Sequence, residues 1–165
     1  MRHTQTDTFV TFEFEKNNEI SSFNLVLVEP KIEELEVPQL DRPVSVRMPS
    51  QKFKTICAEL KLFGDHVEVQ VGATATFRIQ SDRGTGFKMM KRSDDVEINV
   101  QSQLDQVPQF SIRYLDKMAK AAANGVALEL EMRNGAPLAV TYTYDLGHRP
   151  TNVSLNFWLA PRIDV

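Results

Sequence analysis

One pattern recurs in this chain and limits what it can fold into: a strand-like run, an amphipathic helix and a series of short strands, followed by the same order again. The run VSVRM at 44–48 leads into SQKFKTICAELKLFG at 50–64. There the apolar residues fall at helical spacing, Ser50 stands where an N-cap would, and Gly64 stands where a helix would stop. HVEVQV, ATFRIQ, GFKMMK and VEINV follow, alternating or rich in β-formers, each too short for a helix. The second pass opens with SIRYLDKMAKAAANG at 111–125, with Ser111 near its start and Asn124-Gly125 at its end. It continues with VALELEM, LAVTYTY and VSLNFWLA. The repetition is one of architecture, since the two halves share no visible sequence repeat.

Two further runs precede this region. Phe9 to Phe14 alternates at period two, and ISSFNLVLV follows the turn signal KNNE, so an antiparallel pair is expected. Between the pair and the repeat lies EPKIEELEVPQLDRP, residues 29–43. It carries the acids Glu29, Glu33, Glu34, Glu36 and Asp41, the bases Lys31 and Arg42, and three prolines, which reads as an extended connector. Ile32, Leu35, Val37 and Leu40 recur too regularly along it for a mere spacer. The expected organisation is therefore residues 1–28, a connector at 29–43 and a domain at 44–165.

Composition narrows the function classes. Over 165 residues, 42% are hydrophobic and 25% charged, which suits an ordinary soluble domain with a real core. The single cysteine, Cys57, excludes a disulfide framework or a multi-thiolate metal site, and His3, His66 and His148 are too scattered to replace one. No apolar run reaches the ~18 residues of a membrane span, and MRHTQTDTF lacks the apolar stretch of a signal peptide, so cytosol or nucleus is expected. The chain also lacks GxSxG, HExxH and a glycine-rich phosphate loop, and its carboxylate pairs Glu33-Glu34 and Asp94-Asp95 fall in connector or turn positions. These features argue against an enzyme.

The net charge of −3 argues against nucleic acid until it is sorted by position. At about 100° per residue, Phe53, Ile56, Cys57, Leu60 and Phe63 form one stripe of the first helix, with Lys54 and Lys61 on its flank. On the second helix Ile112, Leu115, Met118, Ala119 and Ala122 form the apolar stripe. Arg113, Lys117 and Lys120 line the opposite side, with Asp116 the only acid, and both helices are expected to pack on one sheet face. Such bases ordinarily only keep a helix face wet. Three aligned on one face, in a chain whose acids cluster elsewhere, suit phosphate contacts that carry no sequence information.

Several of these runs resemble one family. VRMPSQKFKTICAEL, FSIRYLDKMAKA, APLAVTY and WLAPRI closely resemble, in order and spacing, the second domain of eukaryotic sliding clamps of the proliferating cell nuclear antigen (PCNA) family. LEVP followed by RPVSVRMPS resembles the connector leading into it, and DTFVTFEFE through SSFNLVLV is similar to the last two strands of the clamp's first domain. The resemblance covers residues 7–165 and implies the C-terminal part of one clamp subunit.

It implies an α+β clamp fold: two βαβββ units whose two helices pack on antiparallel sheets and line the inner wall of a trimeric ring. It further implies a non-enzymatic, nuclear DNA polymerase processivity factor, cofactor-free, with a clamp loader and motif-bearing replication and repair proteins as partners. Arg113, Lys117, Lys120, Lys54 and Lys61 would face the duplex. Leu35, Val37, Pro38, Leu40, Pro137, Ala160, Pro161, Arg162 and Ile163 would line the pocket for partner motifs. Phe23, Leu25 and Leu27, with Phe87 and Met89, would lie on the two strands that join subunits. The chain departs from the family at the outward apex of the first helix, Thr55, Ala58 and Leu62, where bases are usual, and at Ala73, where the family carries a modifiable lysine. An adaptor that binds clamp-interacting motifs without forming a ring is the alternative, and a checkpoint-type clamp homologue a near variant.

Overall fold

The computed structural model describes residues 2–5, 8–27, 44–145 and 153–162, and it divides into two compact units, Met1–Gln39 and Leu40–Val165. In the first unit Asn17 and Asn18 both take left-handed conformations, φ 51° and 65°. A two-residue hairpin turn with both φ positive matches the twist of the strands it joins. The turn pairs β2 (Phe9–Lys16) with β3 (Glu19–Val26) in the expected antiparallel register, Lys16 opposite Glu19. A short strand, β1 (Arg2–Gln5), adds to the far side of β2, so the sheet order is β1-β2-β3.

The second unit contains β4 (Val44–Pro49), α1 (Ser50–Leu60), β5 (His66–Val71), β6 (Thr74–Ser81), β7 (Gly84–Lys91) and β8 (Glu97–Val100). The second pass supplies β9 (Gln109–Ser111), α2 (Ile112–Met118) with a 3₁₀ turn at Ala119–Ala121, β10 (Ala127–Met132), β11 (Leu138–Tyr144) and β12 (Val153–Leu159). The two passes exchange their first strands. β4 pairs with β10 in a five-stranded antiparallel sheet, β12-β11-β10-β4-β8, while β9 pairs with β5 in a four-stranded one, β7-β6-β5-β9.

Period-two alternation explains the core directly. Val44, Val46 and Met48 of β4, Leu128 and Leu130 of β10, Val140 and Tyr142 of β11, and Phe77 and Ile79 of β6 all turn inward and are buried. They meet Phe53, Ile56, Cys57 and Leu60 of α1 and Ile112 and Leu115 of α2. The helices lie side by side, and both meet the four-stranded sheet. α1 rests against strands of both sheets, β4 and β10 as well as β6 and β7, and α2 rests against β5 and β9.

The helix ends differ from the sequence expectation for one physical reason: each helix is terminated by the other pass. Pro49, not Ser50, occupies the N-cap of α1. Ser50 is fully buried, its amide donating to Val126 O at 3.0 Å and its hydroxyl to Ala123 O at 3.0 Å. Reciprocally, the first amide of α2, Ile112 N, donates to Asp65 O at 2.9 Å. Ser111 is the α2 N-cap but makes no side-chain cap.

At the other ends, α1 tightens into a turn after Leu60, which swings Phe63 off the buried stripe to 38% exposure. Gly64 does not terminate the helix by a left-handed conformation. A Cβ there would lie 3.1 Å from Ser81 Cβ, so its role is close approach to β6. α2 stops well short of Asn124-Gly125, because Ala122 is already extended at ψ 131°. Tyr142 donates to Met118 O at 3.0 Å and Tyr144 to Ala121 O at 2.7 Å, satisfying carbonyls that a longer helix would have used. Gly125, at φ +75°, makes the turn into β10 instead. Met118 and Ala122 are half-buried against the core.

Candidate nucleic-acid interface and docking edges

Buried stripes dictate what the helices show to solvent. With Ile112, Leu115 and Ala119 inside, Arg113, Lys117 and Lys120 are exposed along α2 and its 3₁₀ turn, and Lys54 is exposed on α1. None of the four forms an ion pair among the described residues. Lys61 is different: its ammonium lies 2.8 Å from Asp116 Oδ2 and fastens α1 to α2. Lys88 pairs with Glu59, and Lys52 with Asp95 at 3.0 Å. The Ser93 hydroxyl, followed by the Lys52 ammonium, holds the Asp95 carboxyl below its ordinary range.

Asp116, Glu59 and Asp95 are thus each answered by a lysine, whereas Lys54, Arg113, Lys117 and Lys120 have no ion-pair partner among the described residues. The outward residues of α1, Thr55, Ala58 and Leu62, are exposed and neutral, so the charge is concentrated on α2. A surface of this kind can bind phosphates without reading bases. The chemistry of Cys57 is muted, because burial, reinforced by Asp116, pushes its thiol up to about 12. Among the described residues no three His, Cys, Asp or Glu side chains gather to hold a metal.

The second candidate surface lies where β12 ends. Leu138 pairs with Leu159, which places Pro137 and Ala160 next in register, both exposed. Beyond them the chain passes to the other sheet, where Arg162 N donates to Gln109 O at 2.8 Å and its guanidinium lies 3.4 Å from His66 Nδ1. Pro161 is half-buried there. Leu35, Val37, Pro38, Leu40 and Ile163 lie outside the described residues. One residue missing from the sequence reading belongs beside this strip: Trp158, opposite Ala139 and 50% exposed. The signal was available, since a lone Trp on the solvent phase of an alternating strand is a large apolar surface with nothing to bury it.

Two strand edges are open and apolar. β3 is an edge of its sheet, with Phe23 57% and Leu25 59% exposed and Leu27 also exposed just beyond it. β7 is an edge of the four-stranded sheet, with Phe87 61% and Met89 52% exposed. Phe87 and Met89 also wall a groove of about 530 Å³ bordered by Leu104, Val107 and Pro108.

Two β-α-β passes that exchange first strands and set their helices side by side against antiparallel sheets define the α+β fold of a clamp domain. Residues 36–161 match the family described as "Proliferating cell nuclear antigen, C-terminal domain", and the chain belongs to that family. It is 30% identical to the proliferating cell nuclear antigen of Dictyostelium discoideum over 173 aligned positions, an alignment that takes in 99% of this chain and 64% of the relative. The chain thus spans somewhat less than two thirds of the length of that relative.

Proposed function

We propose that the chain works as part of a DNA sliding clamp, a non-enzymatic processivity factor that holds duplex DNA without sequence preference and tethers polymerase and other motif-bearing proteins in the nucleus. The observation that carries this reading is the unpaired basic face of Arg113, Lys117 and Lys120 on a net-acidic chain of this family. Lys54 contributes from α1, and Lys61, already answered by Asp116, contributes less. The strip around Pro137, Trp158, Ala160, Pro161 and Arg162 receives partner motifs. An apolar strip beside exposed backbone suits an anchored aromatic and aliphatic motif. The edges of β3 and β7 join copies into a ring, a clamp loader placing it on DNA.

Charge reversal tests the reading. Arg113→Glu, Lys117→Glu and Lys120→Glu together weaken binding to duplex DNA and flatten its salt dependence by about one unit of slope for each phosphate no longer held. Unchanged binding at low salt overturns the DNA assignment. The second reading is an adaptor that binds clamp-interacting motifs without forming a ring. Retention on closed circular DNA after loading supports the clamp, and binding of motif peptides without such retention supports the adaptor.

A further inference from the structure

The position of Tyr114 on the basic face carries an inference that the charges alone do not. Around α2, Ile112, Leu115 and Ala119 point into the core, so at about 100° per residue the opposite pole falls on Lys117. Asp116, which reaches Lys61, marks the side toward α1, and Arg113 and Lys120 lie between it and the pole. Tyr114 lies on the other side of Lys117, 52% exposed, and its hydroxyl has no hydrogen-bond partner among the described residues. The Lys117 ammonium sits over the Tyr114 ring, 5.3 Å from its centroid.

A lysine at the apex of a helix has a long side chain that must be ordered before it can hold a phosphate, and that ordering opposes binding. An aromatic face beneath the ammonium orders it in advance and leaves its outer side free for an anion. We infer that Tyr114 is a positioning residue for Lys117, holding its ammonium for contact with a duplex phosphate. The inference rests on the DNA-binding reading of the α2 face. A single ring does not make a path for single strands, which need successive stacking platforms, so the ligand is the duplex backbone.

The test uses the full chain and fluorescence anisotropy with a short blunt duplex of mixed sequence at low salt. Tyr114→Leu weakens binding about two- to fivefold, the range expected of a cation–π contact at an exposed site. Its salt slope stays that of the unaltered chain, because the number of phosphates held is the same. Tyr114→Phe, which keeps the ring, binds as the unaltered chain does. In a Lys117→Met background Tyr114→Leu has no further effect. Full binding by Tyr114→Leu, an equal loss in Tyr114→Phe, additivity with Lys117→Met, or a preference for single strands that Tyr114→Leu abolishes would each overturn the inference. Unaltered circular dichroism of the exposed-site variants excludes misfolding as the cause. If the triple charge reversal leaves binding unchanged, the DNA reading itself fails; if it weakens binding while the Tyr114–Lys117 cycle shows no coupling, the positioning role alone fails.

Discussion

Two tyrosines of β11 do more for this domain than fill space. Tyr142 is fully buried, makes an edge-to-face contact with Phe157, and donates its hydroxyl to the carbonyl at the end of α2; Tyr144 does the same for the 3₁₀ turn. Tyr142→Phe keeps the packing but leaves Met118 O without its donor, and costs about 1 kcal/mol in chemical denaturation. An unchanged denaturation midpoint contradicts that role. Cys57 and Tyr142 also set the alkaline limit. Burial raises both groups above their ordinary values of 9.0 and 10.0, the thiol to about 12. A folded-state pKa above the unfolded one means that the stability these groups contribute is intact below pH 9 and lost as pH rises beyond it. The melting temperature is therefore level from neutral pH to about 9 and then falls, and a thiol reagent near pH 8 labels Cys57 only after unfolding.

At the scale of elements, alternation made nearly every strand legible, because half-buried strands advertise their period. The expected strands from Val44 to Ala160 correspond to β4 through β8 and β10 through β12. Two short strands escaped. β9 is three residues of QFS, too short to show a period, and β1 reads RHTQ, with no apolar face. Helix ends were misread because their partners come from far along the chain. Ser50 looks like a cap in sequence, yet its hydroxyl serves Ala123, seventy-three residues away. The difference can be measured. Were Ser50 a cap, Asp would serve as well as Ser. At a fully buried site Asp must hide a carboxylate, so Ser50→Asp destabilises more than Ser50→Ala, itself worth about 1 kcal/mol. Equal stability of Ser50→Asp and the unaltered chain would restore the capping role. The basic face of α2 was readable from spacing alone. The ion pairs that separate Lys61 from Lys117 were not, since Asp116 meets Lys61 only through the packing of one helix on the other.

For the molecule as a whole, the decisive quantities are charge and open edges. A net charge of −3 is compatible with the proposed DNA-holding surface because Asp116 is the one acid on α2, where Arg113 and Lys117 are exposed. The edges of β3 and β7 bear on assembly. Each presents unpaired backbone beside exposed apolar side chains, Phe23 and Leu25 on one and Phe87 and Met89 on the other, and neither strand contains a proline. If these two unlike edges join copies as proposed, the contact is head-to-tail and either closes into a ring or continues as a filament. The chain at micromolar concentration accordingly scatters light as a species heavier than one copy. Met89→Glu on β7 and Leu25→Glu on β3 each reduce it to a single copy, since removing either partner of a head-to-tail contact breaks every joint. Because both side chains are exposed, neither substitution disturbs the core, and the thermal melt of each variant stays cooperative. A single-copy mass for the unaltered chain would show that these edges do not associate unaided, and the assembly reading would then fall while the DNA face on α2 still stood to be tested by charge reversal.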